Sequence, residues 1–316
     1  MSYYYRFLSR FPDVESLASA PEKEVMKVWQ GLGYYSRARN LHKTAKIIVN
    51  ELNGRFPETY PDLLKLPGIG PYTAAAIASI VYHVAVPVID GNVLRFVSRL
   101  TGNRLPVDRP EGIRAVKEWM EKNLDPDRPG SFNQAVMEFG ALHCTPSSPG
   151  CSGCIFRHSC VAAREGITGM LPVKANRNKL MERTLVCLLF RKETDGMEKF
   201  MMIRRAENDI WKGLYCFPVV SLSNKVGMKD IPGHVLREKG LKVVAVENIK
   251  QPVMHRLTHR QLTITLFRTL TGNESAEPEE IYGRKEDVPV WGTLNELLAL
   301  PLPKPIEKIV KRLQQN

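Results

Sequence analysis

The stretch from Leu66 to Arg95 restricts this chain more than any other. Gly68-Ile-Gly70 lies between an apolar helical run ending near Leu66 and a second run opening at Pro71, a residue suited to a first helical turn. The pattern predicts a helix, a tight glycine hairpin and a second helix. With no side chains at the two glycines the backbone can approach a phosphate, and the free N–H groups that open the next helix attract an anion. Leu66, Pro67, Gly68, Ile69 and Gly70 could therefore hold a nucleic-acid backbone without reading its sequence, although a plain helix–turn–helix corner has the same spacing. Ala74, Ala75, Ala76 and Ala78 are small enough to let the paired helices lie close together.

Further on, Val88-Ile-Asp90-Gly-Asn-Val93 places an acid after an apolar extended run and before a helical pattern from Val93 to Leu100. Asp90 is a good N-cap there. A carboxylate held ionised at a helix start and facing the hairpin's DNA is compatible with that role.

The chain has 316 residues, enough for two ordinary domains, each with its own core. A formal net charge of +12 favours a polyanionic partner. Met1-Ser-Tyr-Tyr-Tyr5 lacks a secretory signal's cationic and apolar regions, and no apolar run approaches bilayer-spanning length. The expectation is a cytoplasmic, nucleoid-associated protein with no membrane partner, acting as a monomer.

Six cysteines in such a chain do not suggest disulfides. Cys144, Cys151, Cys154 and Cys160 cluster with the spacing C-x6-C-x2-C-x5-C, and four close thiolates in a reducing compartment point to a metal centre. Structural zinc sites more often show two short CxxC knuckles, and here only Cys151–Cys154 is one. A 4Fe-4S cluster suits a single compact cysteine loop better, fixing it and presenting Arg157 and His158. Cys187 and Cys216 stand in apolar, strand-like runs as small buried hydrophobes.

Residues 1–65 read as helical, with apolar positions three and four apart in Val14–Leu17, Val25–Trp29 and Leu41–Leu52. Between them Gly31-Leu-Gly33-Tyr34-Tyr35-Ser-Arg37 could form a DNA-touching loop whose rings stack on or wedge between bases; a core-facing tyrosine is the plainer alternative. Arg114–Asn123 and Phe132–His143 are two more helices. A polar, basic linker spans residues 166–182. From Arg183 the pattern turns to short strands: Thr184–Arg191, Phe200–Arg204, Gly213–Val220, Val243–Ile249 and Leu262–Leu270, with helices over Asp230–Lys239 and Ile306–Leu313. The expected layout is a mainly α region over residues 1–165, the linker, and an α+β domain over residues 183–316.

Together the hairpin, the aspartate and the cysteine loop resemble the helix–hairpin–helix DNA glycosylase superfamily, and the appended β-rich domain narrows the likeness to MutY-type adenine DNA glycosylases. The resemblance rests on Leu66-Pro-Gly-Ile-Gly-Pro-Tyr-Thr73, Ile89-Asp-Gly-Asn-Val93, Gly31-Leu-Gly-Tyr-Tyr-Ser-Arg37 and the cysteine spacing. It implies double-stranded DNA as partner, with an adenine opposite 8-oxoguanine or guanine turned out of the duplex. Asp90 then matches the family carboxylate that stabilises the oxocarbenium-like sugar. Tyr72 falls where bifunctional relatives carry a Schiff-base lysine, which implies base removal without strand cleavage and a role in placing Asp90. Gly31, Gly33, Tyr34 and Arg37 match the segment whose tyrosine inserts beside the lesion.

The C-terminal domain resembles the Nudix fold. Gly233–Leu241 keeps Glu238 but puts Arg237 where a magnesium-binding glutamate should stand, so the resemblance implies a reader of 8-oxoguanine that hydrolyses nothing. Leu257-Thr258-His259 aligns with the family's Phe-Ser-His lesion-sensing loop.

One departure matters. In the family a glutamate on an early helix, followed by Gln-Gln-Thr, is the general acid, and Ser2–Phe11 matches the segment after it. Losing that acid removes protonation of the departing adenine, about 10²–10⁴-fold in rate. The chain as written is then expected to bind the lesion better than it cuts, through a start codon placed too late or, less favoured, a degraded gene copy.

Overall fold

The structure, a computed structural model, describes residues 2–176, 181–205, 210–222, 227, 229–239, 242–245, 251–257, 260–269 and 289–315. The chain forms two compact units, one of Met1–Val49 with Asn178–Asn316 and one of Asn50–Arg177.

The chain opens with α1 (Ser2–Arg10), α2 (Val14–Ser19), α3 (Glu22–Val28) and α4 (Tyr35–Glu51). Asp13 starts α2 by accepting the Ser16 amide at 2.7 Å, with Ser16 closing the reciprocal capping box. Phe11, Leu17, Ala18, Val25 and Ala45 bury the inner faces of these helices.

The second unit contains α5 (Tyr60–Leu63), α6 (Pro71–Val81), α7 (Gly91–Thr101), α8 (Pro110–Asn123), α9 (Pro129–Glu138) and α10 (Val161–Arg164). Val93, Phe96 and Val97 of α7 pack with Val116 and Met120 of α8 and Val136 of α9. Leu63, Ala74 and Ala78 join α5 to α6, so the small residues do bring that pair together. The expected helix over Phe132–His143 runs as α9 only to Glu138 and then loosens into a π turn, Phe139–His143. The reason is steric. A Cβ at Gly140 would sit 2.7 Å from the Asn92 carbonyl, so the turn passes against the start of α7 and only glycine fits.

The remainder of the first unit is α+β. One sheet runs β5 (Val219–Leu222), β1 (Met181–Leu189), β8 (Arg260–Thr269), β6 (Val243–Ala245), with β7 (Val253–Arg256) also on β8. The β1–β8 pair is parallel, Leu185 opposite Ile264, and the other pairs are antiparallel. In the second sheet β3 (Met197–Arg204) pairs antiparallel with β2 (Arg191–Thr194), β4 (Tyr215–Cys216) and β9 (Pro289–Gly292). The expected strand Gly213–Val220 is two strands in different sheets, interrupted at Pro218, which has no amide to give a ladder. α11 (Ile231–Lys239), α12 (Leu294–Leu298) and α13 (Lys304–Gln314) complete it. Cys187 and Cys216 are both fully buried. Their core holds Met26, Tyr35 and Ala38 of α3 and α4 together with Phe200, Phe217, Leu262, Leu302 and Ile306.

Candidate functional site

In the second unit the hairpin forms as its residues require. Thr59 caps α5, Ile69 N–H returns to the Leu66 carbonyl at 3.1 Å, and Gly70 opens α6 with Pro71 behind it. Gly68 has φ +78°, the left-handed region that a side chain disfavours. Gly68 and Gly70 are exposed, whereas Leu66 is buried and Ile69 packs inward against the α5–α6 core. Of the five expected contact positions, then, the two glycines offer backbone to a ligand and the two apolar side chains hold the turn.

Asp90 is the N-cap of α7. Its Oδ1 accepts from the Asn92 amide at 2.9 Å and the Val93 amide at 2.7 Å, and its Oδ2 accepts from Asn92 Nδ2 at 2.9 Å. Three donors at the start of the helix fix the position of the side chain. The extended run before it is held by Asn133 of α9, which is fully buried. Asn133 Oδ1 accepts from the Val88 amide at 3.0 Å, and its Nδ2 donates to the Val86 carbonyl and to Ser79 Oγ, both at 2.9 Å. Asn133 thus fixes the approach to Asp90. Sequence reading missed it because its partners lie more than forty residues away and a helical Asn reads as solvated.

Tyr72 is 46% exposed on the first turn of α6. With Tyr60, Pro71, Ile89, Ile113 and Lys117 it lines a groove of about 500 Å³, so the hairpin helix and the residue preceding Asp90 share one concavity. Tyr72 makes no hydrogen bond to Asp90 among the described residues. Lys117 pairs with Glu121 at 3.3 Å.

Two arginines on α7 are turned inward. Arg95 Nη2 donates to Asn92 Oδ1 at 2.9 Å and to the Gly140 carbonyl, and its Nε donates to the Cys144 carbonyl at 2.8 Å. Arg99, only 2% exposed, donates to the carbonyls of Leu171, Thr145 and Pro146 at 3.0, 2.7 and 3.1 Å. Its Nη1 also lies 3.5 Å from Cys144 Sγ. The aspartate-bearing helix and the cysteine loop are therefore one hydrogen-bonded body.

Cys144, Cys151, Cys154 and Cys160 line a single cavity with Phe96, Arg99, Phe139, His143 and Phe156. All four thiols are free. Burial and the three neighbouring cysteines push the Cys151 thiol up, while Arg99 pulls it down. Among the described residues no three His, Cys, Asp or Glu side chains are close enough to share one metal ion. Four thiolates on one zinc stand about 3.8 Å apart, given a Zn–S bond of about 2.3 Å. The four thiols that face this cavity are a donor set with the chemistry to hold a sulfur-ligated metal group. Arg157 and His158 are exposed beside it.

In the first unit Tyr34 is 66% exposed with φ +46°, strained for a residue with a side chain, and Arg37 is exposed. Tyr35 instead lies in the core and accepts the Gly31 amide at its hydroxyl at 3.3 Å. Leu257 packs partly buried against that core at the end of β7, its amide closing on the Arg260 carbonyl at 2.7 Å. Thr258 and His259 lie outside the described residues, as does the side chain of Glu238. Arg237 is exposed on α11.

Comparison with known proteins agrees with both halves. Residues 1–122 match the HhH-GPD superfamily of base excision DNA repair proteins, and residues 186–312 match the NUDIX domain. The adenine DNA glycosylase of Buchnera aphidicola subsp. Schizaphis graminum is 31% identical over 310 residues, covering 98% of this chain and 85% of the relative. The chain belongs to the adenine DNA glycosylase family. Another adenine DNA glycosylase, from Arabidopsis thaliana, is 33% identical over 362 residues, spanning 98% of this chain and 56% of its own length. The human one is 43% identical over 165 residues, about half of this chain and 30% of the relative. As an adenine DNA glycosylase, the chain is a DNA-binding base-excision repair enzyme with a helical glycosylase region and a Nudix-like α+β domain.

Proposed function

We propose that this glycosylase hydrolyses the N-glycosidic bond of adenine paired with 8-oxoguanine or guanine in double-stranded DNA, without cutting the strand. The observation that supports the reading is the groove that Pro71 and Tyr72, at the start of α6, share with Ile89, the residue before the capped Asp90. Gly68 and Gly70 hold the DNA backbone, and the adenine leaves the stack. As the C–N bond breaks, positive charge grows on the sugar. The Asp90 carboxylate, held by Asn92 and Val93, stabilises that charge without rearranging. Water then adds to the sugar carbon. Protonation of the departing adenine belongs to a general acid.

Tyr72 offers no amine for a Schiff base, which supports base removal without strand cleavage. Tyr34 acts as the wedge inserted into the stack beside the 8-oxoguanine and Arg37 as a phosphate contact. The Nudix-like domain, residues 183–316, reads the 8-oxoguanine through Leu257, Thr258 and His259. Cys144, Cys151, Cys154 and Cys160 would hold a 4Fe-4S cluster, which would supply a structural crosslink. The protein works as a monomer in the cytoplasm, on nucleoid DNA.

Two measurements on one set of duplexes test this reading: release of free adenine, and borohydride trapping of a covalent adduct. Release from 8-oxoguanine and guanine mispairs with no adduct is expected. An adduct would overturn monofunctionality. Tight binding without release, even with an upstream glutamate-bearing helix supplied, would make the chain a lesion-binding protein instead.

A further inference from the structure

The loop that carries Tyr34 is anchored to the far end of the chain. Gln30, the residue before Gly31, donates from Nε2 to Glu307 Oε2 at 3.0 Å and accepts at Oε1 from Lys27 Nζ at 2.9 Å and from the Leu302 amide at 3.4 Å. Lys27 Nζ also donates to the carbonyls of Leu298 and Leu300 at 2.6 and 3.0 Å. Glu307 sits on α13 with two further donors, Lys311 at 2.7 Å and Lys304 at 3.2 Å. The amide of Gln30 therefore satisfies both a carboxylate and a backbone N–H of the C-terminal segment, using donor and acceptor at once.

Past Gln30 the loop is closed upon itself. Trp29 Nε1 donates to the Gly33 carbonyl at 3.1 Å, and the Gly31 amide reaches the Tyr35 hydroxyl. These bonds fix the base of the loop on both sides of Tyr34, and Tyr34 itself holds a left-handed backbone conformation, strained for a residue with a side chain. Strain of this kind persists only where surrounding structure over-determines it. Here the over-determination comes from α3 on one side and from α13 of the Nudix-like domain on the other.

We infer that Gln30 is a positioning residue through which Glu307 of the C-terminal helix holds the Tyr34 loop in its inserting conformation, so that the lesion-reading domain sets the wedge. The inference rests on the reading of Tyr34 as the wedge. It assigns to α13 a role in base extrusion that no DNA contact of its own is needed to explain.

The test uses the full chain and a duplex with 8-oxoguanine opposite a non-hydrolysable 2′-fluoro adenosine, with 2-aminopurine beside the 8-oxoguanine. Its fluorescence rises when the local stack is opened, independently of turnover. Wild type should give the rise and Tyr34→Ser should lose it. Gln30→Ala should bind within a few-fold of wild type by anisotropy, and keep its thermal midpoint, yet lose at least about half of the rise. Gln30→Glu should also lose it, because two carboxylates then face each other. Combined with Glu307→Gln the pair is restored with donor and acceptor exchanged, and the rise should return. A full rise in both Gln30 single variants, with Tyr34→Ser silent, would overturn the positioning role and leave the wedge standing. A full rise in Tyr34→Ser would overturn both.

Discussion

Asn92 turns its side chain back onto Asp90, Nδ2 donating to Oδ2 at 2.9 Å, while its own Oδ1 accepts from Arg95 Nη2 at the same distance. Arg95 continues the chain of bonds to the carbonyls of Gly140 and Cys144. The carboxylate at the start of α7 is thereby held by a network whose other end is the backbone of the cysteine loop. Removing the guanidinium leaves several buried acceptors unpaired. Arg95→Gln is expected to lower stability by about 2–4 kcal/mol in urea unfolding. A midpoint equal to wild type would show that the network is not under load.

The cysteine cavity is testable by colour. Protein purified without oxygen should show iron-type visible absorbance, lost in Cys151→Ser. A colourless wild type with stoichiometric zinc would contradict the cluster.

Asp108 holds the first part of the connecting segment. Its Oδ1 and Oδ2 accept from the consecutive amides of Ala175 and Asn176 at 2.8 and 2.9 Å, and those bonds hold its carboxyl below the ordinary carboxylate range. The Val107 amide binds the Val173 carbonyl at 2.9 Å nearby. Trypsin should therefore cut after Lys174 several-fold faster in Asp108→Ala than in wild type at neutral pH. Equal rates would show the segment is open already.

Burial pushes the Glu307 carboxyl up, but hydrogen bonds from Lys311, Gln30 and Lys304 outweigh it and hold the group at about 2, against an ordinary 4.5. A carboxylate depressed in the folded state contributes stability that is fully present above its unfolded value and disappears as pH falls through the folded one. Wild type should therefore be more stable than Glu307→Gln at pH 7, by up to about 3 kcal/mol at 1.36 kcal/mol per pKa unit. The two should converge as pH falls from 4.5 toward 2. Parallel urea midpoints across that range would contradict the assignment.

Much of this was readable before folding because it is local. The α5–α6 turn follows from glycine and proline chemistry, the start of α7 from the capping preference of aspartate, and the β-rich half from alternating apolar runs. Arg95, Arg99 and Asn133 were not readable. Polar residues on helices ordinarily face water, and these three find their partners 45 to 72 residues further along or back, in a loop and an extended run that sequence periodicity does not describe. The burial of Met26, Tyr35 and Ala38 with the strands of the Nudix-like domain was hidden for a related reason. An amphipathic pattern tells which face of a helix is covered but not what covers it. Strands β7 and β9 are four residues each, too short for alternation to stand out.

On the proposed reading the Asp90 carboxylate stabilises the sugar cation as adenine departs. Single-turnover release of adenine from a duplex carrying it opposite 8-oxoguanine tests this most directly, with residues 1–316 alone and joined to an upstream glutamate-bearing helix. Release by the joined protein that falls about 10²–10³-fold or more in Asp90→Asn, with DNA affinity kept, is the predicted result. Equal release by the Asp90→Asn variant would contradict it.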